Sequence, residues 1–96
     1  MGLNQKHRDI LILTIRSVVG DADIYLFGSF ARGNERADSD IDVAIRAEEP
    51  ISFEKIIRLK HLFSESDLPY FVDIVDLNAT DEAFGRAIGA DLVKIA

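Results

Sequence analysis

The stretch from Asp40 to Arg46 alternates without a break, with Ile41, Val43 and Ile45 in one set and Asp40, Asp42, Ala44 and Arg46 in the other. Successive side chains of a strand point to opposite faces, so this is a strand with one apolar face and one charged face. A sheet built on it needs helices over its apolar side. The chain supplies them. From Gln5 to Val19, the residues Leu11, Ile15 and Val18, flanked by Ile12 and Val19, recur at helical spacing, and Gly20 stands where a helix would stop. Within it the block Ile10 to Leu13 is apolar and continuous enough to imitate a strand. Ile24 to Phe27 is a short run of strand formers ahead of Gly28, and it fits a strand buried on both faces.

After Glu48-Glu49-Pro50, Ser52 can cap a helix to about Ser64 with Phe53, Ile56, Leu59 and Phe63 as its apolar stripe. Tyr70 to Leu77 reads as a third strand, apolar on both faces, with Asp73 set between Phe71 and Val75. Thr80, with Asp81 and Glu82 in the first turn, should open a helix to about Lys94 that turns Phe84, Ala87, Ile88 and Leu92 inward. Gly85 and Gly89 weaken that helix locally. The order helix, strand, strand, helix, strand, helix, free of repeats and linkers, describes an α/β protein, a small mixed sheet flanked by helices. Residues 1–96 read as a single domain.

Composition then narrows the function classes. A chain of 96 residues has room for one hydrophobic core. Because such a domain leaves much surface uncovered, association with itself or with another protein is an expected route to added stability. The absence of cysteine excludes a disulfide framework, thiolate catalysis and cysteine-ligated metal. A net charge of −6 is the opposite of a phosphate-tracking footprint and argues against binding to long nucleic acid. No apolar run approaches the roughly 18 residues of a membrane span and no leader is visible at the amino terminus, so a soluble cytoplasmic protein is expected.

Two features carry chemistry: Gly28-Ser29-Phe30-Ala31-Arg32-Gly33 directly after a strand, and Asp38-Ser39-Asp40-Ile41-Asp42 entering the next. A glycine at a strand end lets backbone approach a ligand, and a following helical turn aims free N–H groups at an anion, to which the Ser29 hydroxyl adds a donor. Asp40 and Asp42 project side by side from one strand face, where like charges repel. A wet polar face tolerates that repulsion; a shared divalent cation explains it, since hard oxygens suit magnesium. Asp73, in a strand with no obvious solvent face, would be costly to bury unpaired. Either a salt bridge to Arg32, Arg46 or Arg58, or a metal held jointly with Asp40 and Asp42, would satisfy it. Asp76 points to the other side of that strand and reads as a surface or turn residue. His7 and His61 lack metal-ligand spacing, and Tyr25 and Tyr70 read as core or rim aromatics. Glu35, Arg36 and Asp38 read as a solvated loop from which Arg36, or Arg32 before it, could reach a triphosphate, and Lys55, Arg58 and Lys60 lie on the polar side of a helix.

Together, Gly28-Ser29, Ala31-Arg32-Gly33, Ser39-Asp40-Ile41-Asp42 and the later Asp73 resemble the signature of the DNA polymerase β nucleotidyltransferase superfamily, in particular its minimal nucleotidyltransferase group. The resemblance implies the polymerase β-like fold and transfer of a nucleoside monophosphate from a nucleoside triphosphate, ATP, to an acceptor hydroxyl. It implies that Asp40, Asp42 and Asp73 hold two Mg2+ ions and act catalytically, with Asp73 helping to deprotonate the acceptor. Gly28 and Ser29 would grip the distal phosphates, and Arg32 would add a contact. Many small members of this group act as antitoxins of HEPN-domain ribonuclease toxins, adding AMP to a toxin tyrosine, so the partner that the resemblance implies is a HEPN-domain toxin. Two other readings stay open here: an antitoxin that neutralises its partner by occlusion alone, and the catalytic subunit of a small-molecule, aminoglycoside-type nucleotidyltransferase.

Overall fold

A computed structural model describes residues 3–33, 36 and 39–96. Its elements are α1 (Gln5–Val19), β1 (Asp23–Phe27), α2 (Gly28–Arg32), β2 (Ile41–Arg46), α3 (Phe53–Ser64), β3 (Val72–Asp76), α4 (Glu82–Gly89) and β4 (Val93–Lys94). The strands form one mixed sheet in the order β3-β2-β1-β4. β1 runs antiparallel to β2 and β4, and β2 runs parallel to β3.

The expected α1 is present over its full span. The Asn4 side chain accepts from the His7 N–H, and Gly20, at φ 83°, closes the other end through a bond from its N–H to the Arg16 carbonyl. The Ile10 to Leu13 block is therefore helical: Leu11 is fully buried, whereas Leu13 is 70% exposed. The Ser52 hydroxyl caps α3 by accepting from the Lys55 N–H, as the sequence reads. Leu11, Ile15, Leu59 and Phe63 of these two helices meet Ile24, Leu26, Ile41, Val43 and Ile45 of the sheet in one apolar cluster. Fully burying a side chain of this size stabilises a fold by roughly 1.5–3 kcal/mol, so this helix-covered face holds most of the molecule's apolar stabilisation.

Several expectations are corrected. β1 is not buried on both faces; Ile24 and Leu26 are, while Asp23, Tyr25 and Phe27 are half-buried. Phe53, the first residue of α3, is exposed rather than part of its apolar stripe. In β2, Ala44 is buried despite sharing the charged set, shielded in register by Tyr25 and Val75 on either side.

The last helix is capped by Asp81, not Thr80, and stops at Gly89 instead of Lys94. Phe84 and Ala87 are consequently exposed and Leu92 half-buried, leaving Ile88 as the buried residue of α4. Val93 and Lys94 form a short strand on the open edge of β1, extended by bonds from Ile95 N–H to the Ile24 carbonyl and from Ile24 N–H to the Ala96 carbonyl. The two glycines make helix continuation costly, and the free edge of β1 offers the backbone better partners.

Candidate functional site

Phe27 ends β1 in an extended conformation, φ −145° and ψ −177°, and Gly28 reverses the chain at φ 72° into the single turn of α2. A left-handed conformation favours glycine, but here the neighbour decides more: a Cβ on Gly28 would stand 2.2 Å from Asp42 Oδ2. The turn is thus pressed against the carboxylate. Phe30 fixes α2 from beneath, being 3% exposed and meeting Tyr70 edge-on at 4.9 Å between ring centres. Tyr70 in turn meets His7 edge-on at 5.7 Å. These contacts make Tyr70 the rim aromatic expected of it and give His7 a packing role. They also give Phe30 a role that the sequence reading missed, visible there only as an apolar residue inside a polar turn.

Parallel pairing of β2 with β3 sets Asp42 directly in register with Asp73. Neighbouring strands are about 4.8 Å apart, so the two carboxylates share one face at close quarters, and Asp40 lies two residues before Asp42 on that face. Asp42 is half-buried, whereas Asp40 and Asp73 are exposed. The expected burial of Asp73 does not occur: it is exposed, on a strand at the edge of the sheet. Among the described residues the ion pairs are Arg32–Asp91, Arg86–Glu82 and Lys94–Asp23, so none of the arginines considered for Asp73 reaches it.

The Asp42 carboxyl is held above its ordinary value, first by burial and then by the charges of Asp73 and Asp40, with Arg32 pulling the other way. Mutual repulsion of this kind is what a cation relieves. Among the described residues, no group of three or more His, Cys, Asp or Glu side chains is arranged to hold a metal ion by itself. Magnesium, however, is commonly held by one or two carboxylates together with substrate phosphates. The donor set of hard oxygens in repulsive contact fits that mode.

Arg32 lies close enough to act electrostatically on Asp42, yet its guanidinium is paired with Asp91 at 3.1 Å. Asp91 was not singled out from the sequence, since nothing local marks a residue that far along the chain as a partner of α2. Arg36 is exposed, and its N–H donates to the Ser39 hydroxyl while its carbonyl accepts from the Ser39 N–H, closing the described part of the loop just before Asp40. Glu35 and Asp38 lie outside the described residues. Lys55 lines a cleft with Glu48 and Glu49 at the opposite end of β2, away from the carboxylates. Arg58 and His61 are exposed on α3, whereas Lys60 lines a cleft that includes Asp40 and Asp73.

Asp76 is half-buried rather than a plain surface residue: its carboxylate accepts from the N–H groups of Ile51, at 2.6 Å, and Asn78, at 2.9 Å. Among the described residues no helix is long and apolar enough to cross a membrane.

Comparison with known proteins follows the same lines. The family model described as polymerase beta, nucleotidyltransferase, matches residues 22–94. A Haemophilus influenzae protein named "Probable protein adenylyltransferase MntA" is 43% identical over 77% of this chain, which spans 65% of that protein's length. A Thermococcus cleftensis relative named "Protein adenylyltransferase MntA" is 30% identical over 84% of this chain and 81% of its own. A solved crystal structure of a toxin-antitoxin with AMP-PNP superposes with a TM-score of 0.80 at 25% identity, covering 91% of this chain and 70% of that one.

Proposed function

The chain belongs to the polymerase β nucleotidyltransferase family, and from that premise we propose that it transfers AMP from ATP to a hydroxyl of a partner protein, a HEPN-domain toxin that it restrains as an antitoxin. The observation that carries this reading is the register of Asp42 with Asp73 beside the Gly28 turn. That arrangement gathers at one end of the sheet a pair of repelling carboxylates and a backbone turn free of side-chain bulk.

In this reading Asp40, Asp42 and Asp73 would hold two Mg2+ ions, which when bound supply charge to the reacting and leaving oxygens. Gly28 and Ser29 offer backbone N–H groups and a hydroxyl to the distal phosphates, and the missing Cβ of Gly28 leaves room for Asp42 beside them. Asp73, exposed and unpaired among the described residues, is free to take the proton of the acceptor hydroxyl. The acceptor oxygen bonds to the α-phosphorus, the bond from that phosphorus to the β-phosphate bridge breaks, and pyrophosphate leaves. Arg32 contributes positive charge next to Asp42 while it is steered by Asp91. Residues 1–96 act in this reading as one minimal domain, with the acceptor carried by the partner.

The test uses ATP labelled on the α- or the γ-phosphate, with Mg2+ and an extract of the source cells, comparing wild type with Asp40→Asn/Asp42→Asn. The expected result is α label alone on one protein, lost in the double variant. Label on a small aminosugar instead would move the function to a small-molecule transferase. A partner captured without any transfer would leave neutralisation by occlusion.

A further inference from the structure

Arg32 is the last residue of α2 and stands four positions after Gly28, the residue pressed against Asp42. Residues four apart share a helix face, and helical side chains lean toward the N-terminus, so Arg32 belongs to the side of α2 that meets Asp42. Its charge is felt at that carboxyl. Asp40, Asp42 and Asp73 together attract any guanidinium within reach. The pair that forms is with Asp91 instead, at 3.1 Å from Nη1 to Oδ2. A guanidinium seated on Asp42 would neutralise it and close the carboxylates to another cation; seated on Asp91, it leaves them open.

Backbone on both sides fixes Asp91. Its N–H donates to the Ile88 carbonyl at 2.9 Å as α4 ends, and two residues on, β4 pairs with β1, Val93 opposite Leu26 and Lys94 opposite Tyr25. Counted on along that pairing, Asp91 comes level with Gly28, where α2 begins. The strand order β3-β2-β1-β4 then sets Arg32, which follows β1, between two acidic poles: Asp42 and Asp73 on the side of β2 and β3, and Asp91 on the side of β4. With side chains 54% and 38% exposed, the Arg32–Asp91 pair adds little to stability. Its consequence is where it puts the charge.

We infer that Asp91 is a positioning residue: it holds the Arg32 guanidinium beside the Gly28 turn and off the Asp42 carboxylate, so that the carboxylates stay open to a divalent cation. The inference rests on the nucleotidyl-transfer reading above and gives the early stop of α4 and the return of the chain along β1 a part in the site. Without the Asp91 charge, Arg32 turns to the remaining acids and competes with Mg2+ for them.

The experiment follows ATP binding by calorimetry over a series of Mg2+ concentrations, at ATP levels that saturate each variant when Mg2+ is high. Wild type is compared with Asp91→Asn, Asp91→Glu, Arg32→Leu and Arg32→Leu/Asp91→Asn. Asp91→Asn should need about twofold to fivefold more Mg2+ for half-maximal binding, the strength of a partly exposed ion pair, and should regain wild-type binding at high Mg2+. Asp91→Glu, which keeps the charge, should match wild type. In the Arg32→Leu background, Asp91→Asn should shift nothing further. Removing a negative charge near a triphosphate would by itself leave the Mg2+ requirement unchanged or lower it, so the sign separates the two roles. An unchanged or lowered requirement in Asp91→Asn, or the same rise where Arg32 is already replaced, overturns this inference while leaving nucleotidyl transfer intact, whatever happens to the melting temperature. Failure of wild type to bind ATP with Mg2+ overturns the proposed function, and this inference with it.

Discussion

The Asp42 carboxyl shows how function and stability pull against each other at a single residue. Half-buried, with Asp73 opposite it across the ladder and Asp40 just before its strand, it binds a proton more tightly in the folded chain than in the unfolded one. For a carboxyl raised in this way, the folded state holds more protons between the ordinary value and the raised one, so this group's contribution to stability grows as pH falls through that window. At neutral pH the ionised form bears the full cost. Asp42→Asn should therefore raise the melting temperature at pH 7 in the absence of Mg2+. The gain should shrink as the pH is lowered and vanish where Asp42 is protonated in both states. Circular-dichroism melts of both proteins at pH 7 and near pH 4 check the sign, and a lower midpoint for the variant at pH 7 would refute it. The same substitution should abolish nucleotidyl transfer, the pattern expected when a strained group is kept for its chemistry.

Among the elements, the end of β3 is held by a side chain that sequence alone undervalued. Asp76 accepts from Ile51 N–H and Asn78 N–H, while its carbonyl accepts from the Thr80 hydroxyl at 2.7 Å, and the Asn78 amide donates to the Ala47 carbonyl. The edge strand is thereby lashed to the connection between β2 and α3. Asp76→Ala strands two part-buried N–H groups, which should cost about 1–3 kcal/mol in urea denaturation while leaving the affinity for Mg2+-ATP unchanged, since the lash lies at the far end of β3 from Asp73. A loss of nucleotide affinity without loss of stability would contradict this. The elements differed in how far they could be read from the chain. α1 and α3 are written locally, in apolar spacing and in the Asn4 and Ser52 caps, so their bounds follow from sequence. β4 has no period of its own; Val93 and Lys94 become a strand only because β1 has an open edge to offer. The exposure of Asp73 likewise follows from the place of β3 in the sheet, a property of topology that no flanking Phe71 or Val75 could announce.

At the scale of the whole molecule, the sheet separates two jobs: α1 and α3 seal one face into the core, and the end of the sheet carrying Gly28, Asp42 and Asp73 bears the charge. The first part of the site was legible because Gly28 through Asp42 are near neighbours in sequence; Asp73 joins them by parallel register, and the Asp91 partner of Arg32 by the return of the chain past α4. A domain with one sealed face and an electrostatically repulsive end should gain much of its stability from what binds there. A ligand at about a hundred times its dissociation constant adds roughly 2.7 kcal/mol. At about 4–8 °C per kcal/mol, Mg2+-ATP should raise the melting temperature by roughly 10–20 °C. ATP with EDTA should give a much smaller rise, because triphosphate alone adds negative charge beside Asp40, Asp42 and Asp73. Mg2+ without nucleotide should also fall short, since no carboxylate set among the described residues holds the ion by itself. Asp42→Asn should lose the joint effect. An equal shift with ATP and EDTA would mean that the nucleotide is held without the acids, and would separate nucleotide binding from the end of the sheet at which Asp42 meets Asp73.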